Sequence, residues 1–511
     1  MTTSINAATR AAALDRLAST PYDVIVVGGG ITGAGVVLDA ASRGLRAALV
    51  ERVDLAAGTS RWSSKLVHGG LRYLVKGDVA IAWESARERH HLMTSIAPHL
   101  TRPAPNLFPL GDATPAAMGA AAEAGMRVAD TLRALARTPR RLLPRPSRIS
   151  AAEALALVPG LRRADLRGAL LHWDGQLEDD ARLVTAVART AAGLGADIVT
   201  RCSALALGDR TVLLRDELTG ATLEARGHVV NATGVWAGEH EVGLTIRPSR
   251  GSHLVVRASS LGGPRAICYA PVAGQFGRSV FAIPQPEGLV LLGLTDVPVT
   301  DVDPIAPSVP DEDVHFLLDT INGVLERPLR TSDVVGRYAG LRPLVRGPAV
   351  GESADVSRRH LLLDEPGRPV TIAGGKLTTY RQMAQDAVDA VCRRAGVTTE
   401  CRTRTLPLVG AAERASLTRV PAPLRLVRRY GIEAPVVAQL ADKHPDLAVP
   451  VSDSCPTIGA EMLFGVLHEG ALTVEDLVER RTRVSFDEAA LPSARRLAER
   501  ALEVADALDP S

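Results

Sequence analysis

Apolar residues in this chain fall into short β-branched runs separated by stretches of helical spacing. Tyr22 to Val27 is one such run, ending in glycines, and predicts a buried strand. From Ile31 to Arg43 the apolar positions Ala34, Val37, Leu38 and Ala41 recur at helical intervals, and Leu45 to Val50 reads as a second buried strand, so the unit is β-α-β. The alternation returns with a helix around Ala181 to Gly193 and strands near Ala196 to Arg201, Thr211 to Arg215 and Gly227 to Ala232. Between Leu244 and Asp296 the pattern becomes strands joined by short turns, such as Ser252 to Arg257 and Gly288 to Gly293, which predicts an antiparallel sheet in a second domain. Val370 to Ala373 and the helix Tyr380 to Gly396 close the first domain. From about Cys401 onward the spacing is mostly helical, as in Leu472 to Arg481 and Ser493 to Leu508.

Length and composition narrow the class. At roughly 100 to 200 residues per domain, 511 residues allow two to four units. The 59 basic and 57 acidic residues nearly balance and 46% of the chain is apolar, which excludes a nucleic-acid polycation and a disordered acidic tail. No stretch approaches the roughly 18 apolar residues of a membrane span, and Arg10, Asp15 and Arg16 interrupt any leader-like apolar run. A cytoplasmic chain, peripheral at most on the inner face of the membrane, is expected. Five scattered cysteines without a C-x-x-C pair read as reduced thiols, and no metal site is expected. Only four of the basic residues are lysine (Lys65, Lys76, Lys376, Lys443), so a lysine here signals a need for a compact ammonium.

The turn after the first strand carries Gly28, Gly30 and Gly33 in a G-x-G-x-x-G pattern, between a predicted strand and a predicted helix. That context suits a pyrophosphate at the helix N-terminus, and Glu51, at the end of the second strand, is placed to accept from a ribose 2′-hydroxyl. The alternative is a glycine loop that only packs helix on strand. The motif does not choose between FAD and NAD. No second copy is found, so electrons reaching the cofactor should leave to another acceptor.

The run Gly58-Thr59-Ser60-Arg61-Trp62-Ser63-Ser64-Lys65-Leu66-Val67-His68-Gly69-Gly70-Leu71-Arg72-Tyr73-Leu74 resembles the signature of FAD-dependent glycerol-3-phosphate dehydrogenases of the aerobic, quinone-linked type. The resemblance continues through Asp179-Asp180-Ala181-Arg182-Leu183, Asn231-Ala232-Thr233-Gly234, Gly251-Ser252-His253, Thr295-Asp296, Ala339 to Leu344 and Gly374 to Arg381, and the helical tail shares it with Glu479 to Arg483. It implies an α/β fold with three parts. A discontinuous Rossmann-like FAD-binding domain takes 20–112, 165–240 and 335–395, an antiparallel β-sheet substrate domain takes 113–164 and 241–334, and a helical C-terminal domain takes 400–511. It also implies oxidation of sn-glycerol 3-phosphate to dihydroxyacetone phosphate, with electrons passed from FAD to a membrane quinone.

That reaction needs a cation site for the phosphate, a group that takes the C2 hydroxyl proton, and a flavin N5 placed for the hydride. Guanidinium groups suit the phosphate, and the resemblance puts Arg72, Arg342 and Arg358 in the substrate pocket with Tyr73 and Thr295. It puts Lys376 at the junction of flavin and substrate, where a strand-end cap is the plainer reading. His253 is the implied base, although a histidine at the start of an apolar strand also reads as a hydrogen-bonded structural residue. The implied flavin contacts are Thr59, Ser60, Ser64, Lys65, His68, Gly69, Gly70, Gly234, Leu377 and Thr378. Two departures stand out, Leu294 where relatives carry a threonine and Gln285 where they carry tryptophan.

Seven arginines against Glu123 and Asp130 between Ala113 and Arg148, interleaved with Met118, Met126, Leu132, Leu135, Leu142 and Leu143, read equally as a basic amphipathic membrane contact over 113–148 and as a helix packed on its own domain. A homodimer stays open. Competing readings are an oxidase that passes electrons to oxygen and a catalytically inert flavin-binding module. An amino-acid oxidase, which needs an aromatic cage, fits poorly with 3% aromatic residues.

Overall fold

The computed structural model describes residues 2–71, 74, 78–112, 114–275, 277–300, 302–346 and 360–508. The expected β-α-β unit is present as strand Val24–Val27, helix Ile31–Ser42 and strand Ala47–Val50. These strands sit in a six-stranded sheet ordered His360–Leu363, Val370–Gly374, His228–Asn231, Val24–Val27, Ala47–Val50 and Asp197–Val199, parallel except for the antiparallel edge at 360–363. A parallel sheet must be covered on both faces, which is why its strands are continuous apolar runs. Val24 and Val26 face the helices Ile31–Ser42, Asp180–Gly193 and Tyr380–Ala395, packing with Val37, Val184 and Val388. Ile25 and Val27 face the other way, onto Leu17 of helix Ala7–Ser19 and onto Val212 and Leu214 of a three-stranded meander.

The second sheet runs Val297–Pro298, Thr245–Arg257, Leu289–Gly293, Ser279–Pro284, Ile267–Pro271, Thr101–Leu110, Gly168–Leu177 and Leu66–Val67, with Val334–Arg346 paired along Thr245–Arg257. It is antiparallel apart from one parallel pair, Ile267–Pro271 on Thr101–Leu110. One face buries Leu254, Val256 and Leu292 against Leu317 and Ile321 of helix Asp311–Asn322, and the other buries Val255, Ile283 and Leu291 near Tyr338.

The α/β core, the antiparallel sheet and the helical C-terminal region are those expected, but the strands do not respect the expected boundaries. Thr101–Leu110, Gly168–Leu177 and Val334–Arg346 belong to the second sheet although they lie in the ranges 20–112, 165–240 and 335–395. Apolar periodicity announces a strand; it does not name the strand's partner.

Helices Ala434–Lys443, Gly459–Glu469 and Leu491–Leu508 form the C-terminal domain. Its inward anchor is ionic and buried. Arg481 makes two 2.8 Å contacts to the Asp54 carboxylate, and Arg182 is bidentate to Glu469 at 2.8 and 2.9 Å.

Helix Ala116–Leu135 lies within the basic segment. Met126, Leu132, Leu142 and Leu143 are buried against this chain's own residues, and Arg133 pairs with Asp130, which leaves Val128 and Leu135 as the large apolar residues exposed on that helix. Packing on its own domain thus takes up most of the apolar face. No helix among the described residues is long and apolar enough to cross a membrane.

Candidate active site

The glycine turn opens one end of a cavity of about 650 Å³, in the usual range for a ligand pocket. Gly28 has a φ of 114°, and a Cβ there would lie 2.6 Å from the carbonyl oxygen of Ala232. A Cβ on Gly33 would fall 1.9 Å from the carbonyl oxygen of Gly28. Only glycines let helix Ile31–Ser42 start this close to the strand end. Its Ile31 N–H donates to Ser60 Oγ at 2.9 Å, and Gly29 N–H donates to Glu51 Oε2 at 2.6 Å. Burial raises the pKa of Glu51 against the two backbone amides, of Gly29 and Val53, that favour its charge. Trp236 closes this end with the Arg52 guanidinium 4.3 Å over its ring, and Gly234 lies beside it on the cavity wall.

Thr59, Leu377, Thr378 and Lys376 line the middle. The Thr59 hydroxyl donates to the Leu341 carbonyl at 2.6 Å and the Lys376 ammonium to Ser85 Oγ at 3.1 Å. At the far end stand His68, Leu71, Asn106, Asp174, Tyr269, Phe281, Leu294, His253 and Arg342. The fork of Arg342 is held by Asp296 Oδ1 at 3.1 Å and the Thr295 carbonyl at 3.0 Å, so a planar cation is fixed on the wall. His253 is 2% exposed, with Nε2 2.9 Å from Ser64 Oγ. Burial, then the charges of Lys65 and Arg342, push its pKa down to about 3, so the imidazole is neutral near pH 7. At Asp174 burial works against the charge, but Arg89 at 2.6 Å outweighs it and holds the carboxyl below its usual range.

A family model described as FAD dependent oxidoreductase matches residues 23–381, and one described as the C-terminal domain of alpha-glycerophosphate oxidase matches 401–507. Glycerol-3-phosphate dehydrogenase 1 of Mycobacterium tuberculosis is 48% identical over 494 residues, covering 94% of this chain and 95% of the relative. The glycerol-3-phosphate dehydrogenase of Mycobacterium leprae is 38% identical, covering 94% and 83%. The chain belongs to the FAD-dependent glycerol-3-phosphate dehydrogenase family. Its cofactor is FAD, and the glycine cradle, the helix start at Ile31 and the volume of the cavity fit that dinucleotide. The solved glycerol-3-phosphate dehydrogenase of Bacillus halodurans, complexed with FAD, has a TM-score of 0.71 at 26% identity and covers 98% of both chains. L-alpha-glycerophosphate oxidase of Mycoplasma pneumoniae shares the fold, with a TM-score of 0.56 at 17% identity.

Within this family frame, most residues expected from the motifs line the cavity, and five of the described ones do not; Gly33 is one of them, set against the Gly28 carbonyl inside the turn. Lys65 was expected at the flavin. Its ammonium is instead fully buried behind the wall, donating to the Arg61 carbonyl at 2.7 Å and Asp180 Oδ2 at 2.9 Å, and burial lowers its pKa while Asp180 opposes that. Lys65 takes a left-handed φ of 58°, and at this bend its side chain turns away from the cavity that Ser63, Ser64 and Leu66 line. Thr295 also faces away from the cavity: its hydroxyl accepts from Ser252 N–H at 2.9 Å and faces Asp313, while Leu294 takes the cavity side. Gly69 and Gly70 lie behind His68; the Gly69 amide is spent on Asp174 at 3.0 Å. Gln285, flagged as a departure near the substrate, instead accepts from Arg483 at 3.1 Å. Arg72, Tyr73 and Arg358 lie outside the described residues. Tyr269 and Phe281 escaped the motif reading because their strands carry no signature of their own, and Trp236 and Arg52 because they lie just past the motif residues Gly234 and Glu51.

Proposed function

We propose that this chain oxidises sn-glycerol 3-phosphate to dihydroxyacetone phosphate, with the C2 hydride delivered to flavin N5 and the electrons passed on to a quinone. The observation that carries the reading is the Arg342 guanidinium, held in one plane by Asp296 and Thr295, on the same cavity wall as a neutral, buried His253. A planar fork matches a phosphate bidentately. FAD, when bound, supplies a two-electron acceptor. His253 Nε2, paired with Ser64 Oγ, takes the C2 hydroxyl proton as the hydride leaves. An imidazole with a pKa near 3 is a weak acceptor in the empty pocket, and an adjacent phosphate dianion raises its proton affinity. Lys376 places a positive charge beside the middle of the cavity, and Leu71, Tyr269, Phe281 and Leu294 keep the reacting end apolar. By family position Arg72, Tyr73 and Arg358 join Arg342 at the phosphate.

A quinone acceptor is supported by the single dinucleotide motif, which leaves no second Rossmann site for a nicotinamide. The C-terminal match to a domain described from alpha-glycerophosphate oxidase favours oxygen as a second reading. Peripheral attachment at the inner face of the membrane would bring the quinone within reach; with the apolar side of Ala116–Leu135 packed inward, it rests on the exposed arginines of that segment.

The test is the visible flavin spectrum of the purified protein under anaerobic conditions. Bleaching by sn-glycerol 3-phosphate, and not by glycerol or a free amino acid, is the expected result. A bound flavin that none of the three reduces would overturn the substrate. Peroxide formed per turnover in air then separates oxygen from quinone.

A further inference from the structure

His253 is held by more than Ser64. Its strand pairs with Val334–Arg346 so that His253 stands opposite Tyr338, and the two rings stack with centroids 4.7 Å apart and planes 10° apart. Tyr338 stacks in turn on Phe486, at 4.9 Å and 13°. Phe486 belongs to the C-terminal domain, in the turn Val484–Phe486. Three planar rings therefore run from the helical domain to the cavity wall.

The strands are cut to admit this stack. Gly336 lies two residues from Tyr338 and shares its face, and a Cβ there would lie 2.3 Å from the Phe486 carbonyl oxygen. Gly293, the cross-strand neighbour of His253 on its other side, would put a Cβ 2.2 Å from the imidazole Cδ2. The turn is pinned from both flanks, by Asp487 on Arg257 at 2.6 Å and by Arg483 on Gln285 at 3.1 Å. The buried Lys65 ammonium sits 5.0 Å from the Phe486 ring centre and 5.2 Å from that of Tyr338. The Tyr338 hydroxyl donates to the Ser63 carbonyl at 3.0 Å, one residue before the serine that meets His253 Nε2. Both the face and the edge of the imidazole thus trace back to Tyr338, whose ring is packed by Phe486 of the C-terminal turn and by Trp62 at 5.4 Å and 22°.

We propose that Phe486 is a positioning residue: through Tyr338, the C-terminal turn fixes the plane of His253 against Ser64, so that the helical domain completes a pocket whose lining belongs to the other two domains. The inference rests on the glycerol-3-phosphate reading above. It predicts that loss of ring planarity at 486 slows chemistry without loosening the cofactor, since a small misplacement of a reacting group costs up to about 100-fold in rate.

The test is stopped-flow anaerobic reduction of the FAD-loaded full chain by sn-glycerol 3-phosphate, in wild type and in Phe486→Leu, Phe486→Tyr and Asp487→Asn. Phe486→Leu is expected to keep its flavin and its substrate dissociation constant, and to reduce flavin about 10-fold more slowly or worse. Phe486→Tyr, which keeps the plane, restores the rate. Asp487→Asn, which releases the turn from Arg257, lies between. In parallel, the ring-proton NMR signal of His253, assigned by its loss in His253→Gln, moves in Phe486→Leu and not in Phe486→Tyr. A wild-type rate and an unmoved signal in Phe486→Leu would overturn the proposal. Should that variant lose flavin or fold, the same two readings on Asp487→Asn decide. Failure of the substrate to reduce wild-type flavin would sink the glycerol-3-phosphate reading, while the NMR signal still judges the stack.

Discussion

The two ends of the cavity are built by opposite means. At the dinucleotide end one β-α-β unit supplies the glycine turn, the helix start and the Glu51 carboxylate, and the forces are short-range sterics and backbone hydrogen bonds. At the redox end His253, Arg342 and Asp174 come from separate stretches of chain, and each is oriented by residues distant in sequence. A site made from local backbone fails by losing its ligand. A site assembled from remote side chains fails by losing geometry while the ligand stays.

The largest effect is expected from Gly33→Val. Its Cβ would overlap the Gly28 carbonyl, backbone against backbone, and no rotamer relieves that. The purified variant should be colourless where wild type carries flavin absorbance. A fully flavinated Gly33→Val protein would break the account of the cradle.

Arg342→Ala comes next and should fail in the other way. Removing a charged, bidentate phosphate partner costs roughly 10²- to 10⁴-fold in kcat/KM, at about 1.5–3 kcal/mol for each of its two charged hydrogen bonds. Flavin content is expected to stay at the wild-type level, because Arg342 answers to Asp296 and Thr295 and not to the glycine turn. Loss of flavin together with activity would show that the two ends are not separable.

The same contrast governs what could be read from the sequence. The first strand, the glycine turn and Glu51 were legible because their constraint is local: a strand, a tight turn and a helix in register leave few alternatives. The scarcity of lysine draws attention to position 65 but says nothing of its direction, and the ammonium braces Asp180 and two rings behind the wall. Thr295 is assigned to the substrate by its motif, and the neighbouring Leu294 lines the cavity instead. Domain limits at 112, 165 and 335 missed the strand partners, since pairing is decided by tertiary packing. Phe486 carried no signal at all. Its meaning lies in a stack whose members come from three separate stretches of the chain.

A third prediction uses pH, because the buried titratable groups of the two ends shift in opposite senses. His253 is pushed down to about 3, and His172, whose buried ring lies 5.8 Å from that of Tyr269 behind the redox end, to about 4, chiefly by burial, while burial raises Glu51. Below the ordinary histidine value of about 6.5 the unfolded imidazoles bind protons that the folded ones refuse, so stability is full above that pH and is lost as pH falls toward 4 and 3. Glu51 works the other way, since its folded form binds a proton more readily than its unfolded form. Urea midpoints should fall between about pH 7 and pH 5, with each buried histidine contributing at most about 1.4 kcal/mol per pH unit. His172→Gln should flatten that slope and Glu51→Gln should steepen it. Equal slopes in all three proteins would remove the electrostatic half of the comparison.

The smallest effect, and the sharpest discrimination, is expected from Leu294→Thr. Leu294 lines the cavity where the family resemblance implies a threonine, and Tyr269, Phe281 and Arg342 line the same cavity. A threonine removes apolar area and adds a donor at the reacting end, about as much change as one hydrogen bond of roughly 1 kcal/mol. KM for sn-glycerol 3-phosphate should therefore fall about 3- to 5-fold, with kcat within about 2-fold of wild type, because the added contact serves substrate and transition state alike. Flavin content should not move. If KM stays put, the side chain at 294 lies beyond reach of the substrate and its place on the wall concerns only how dry the pocket is; a changed kcat would mean that the hydroxyl disturbs the plane of His253, whose cross-strand neighbour, Gly293, directly precedes it.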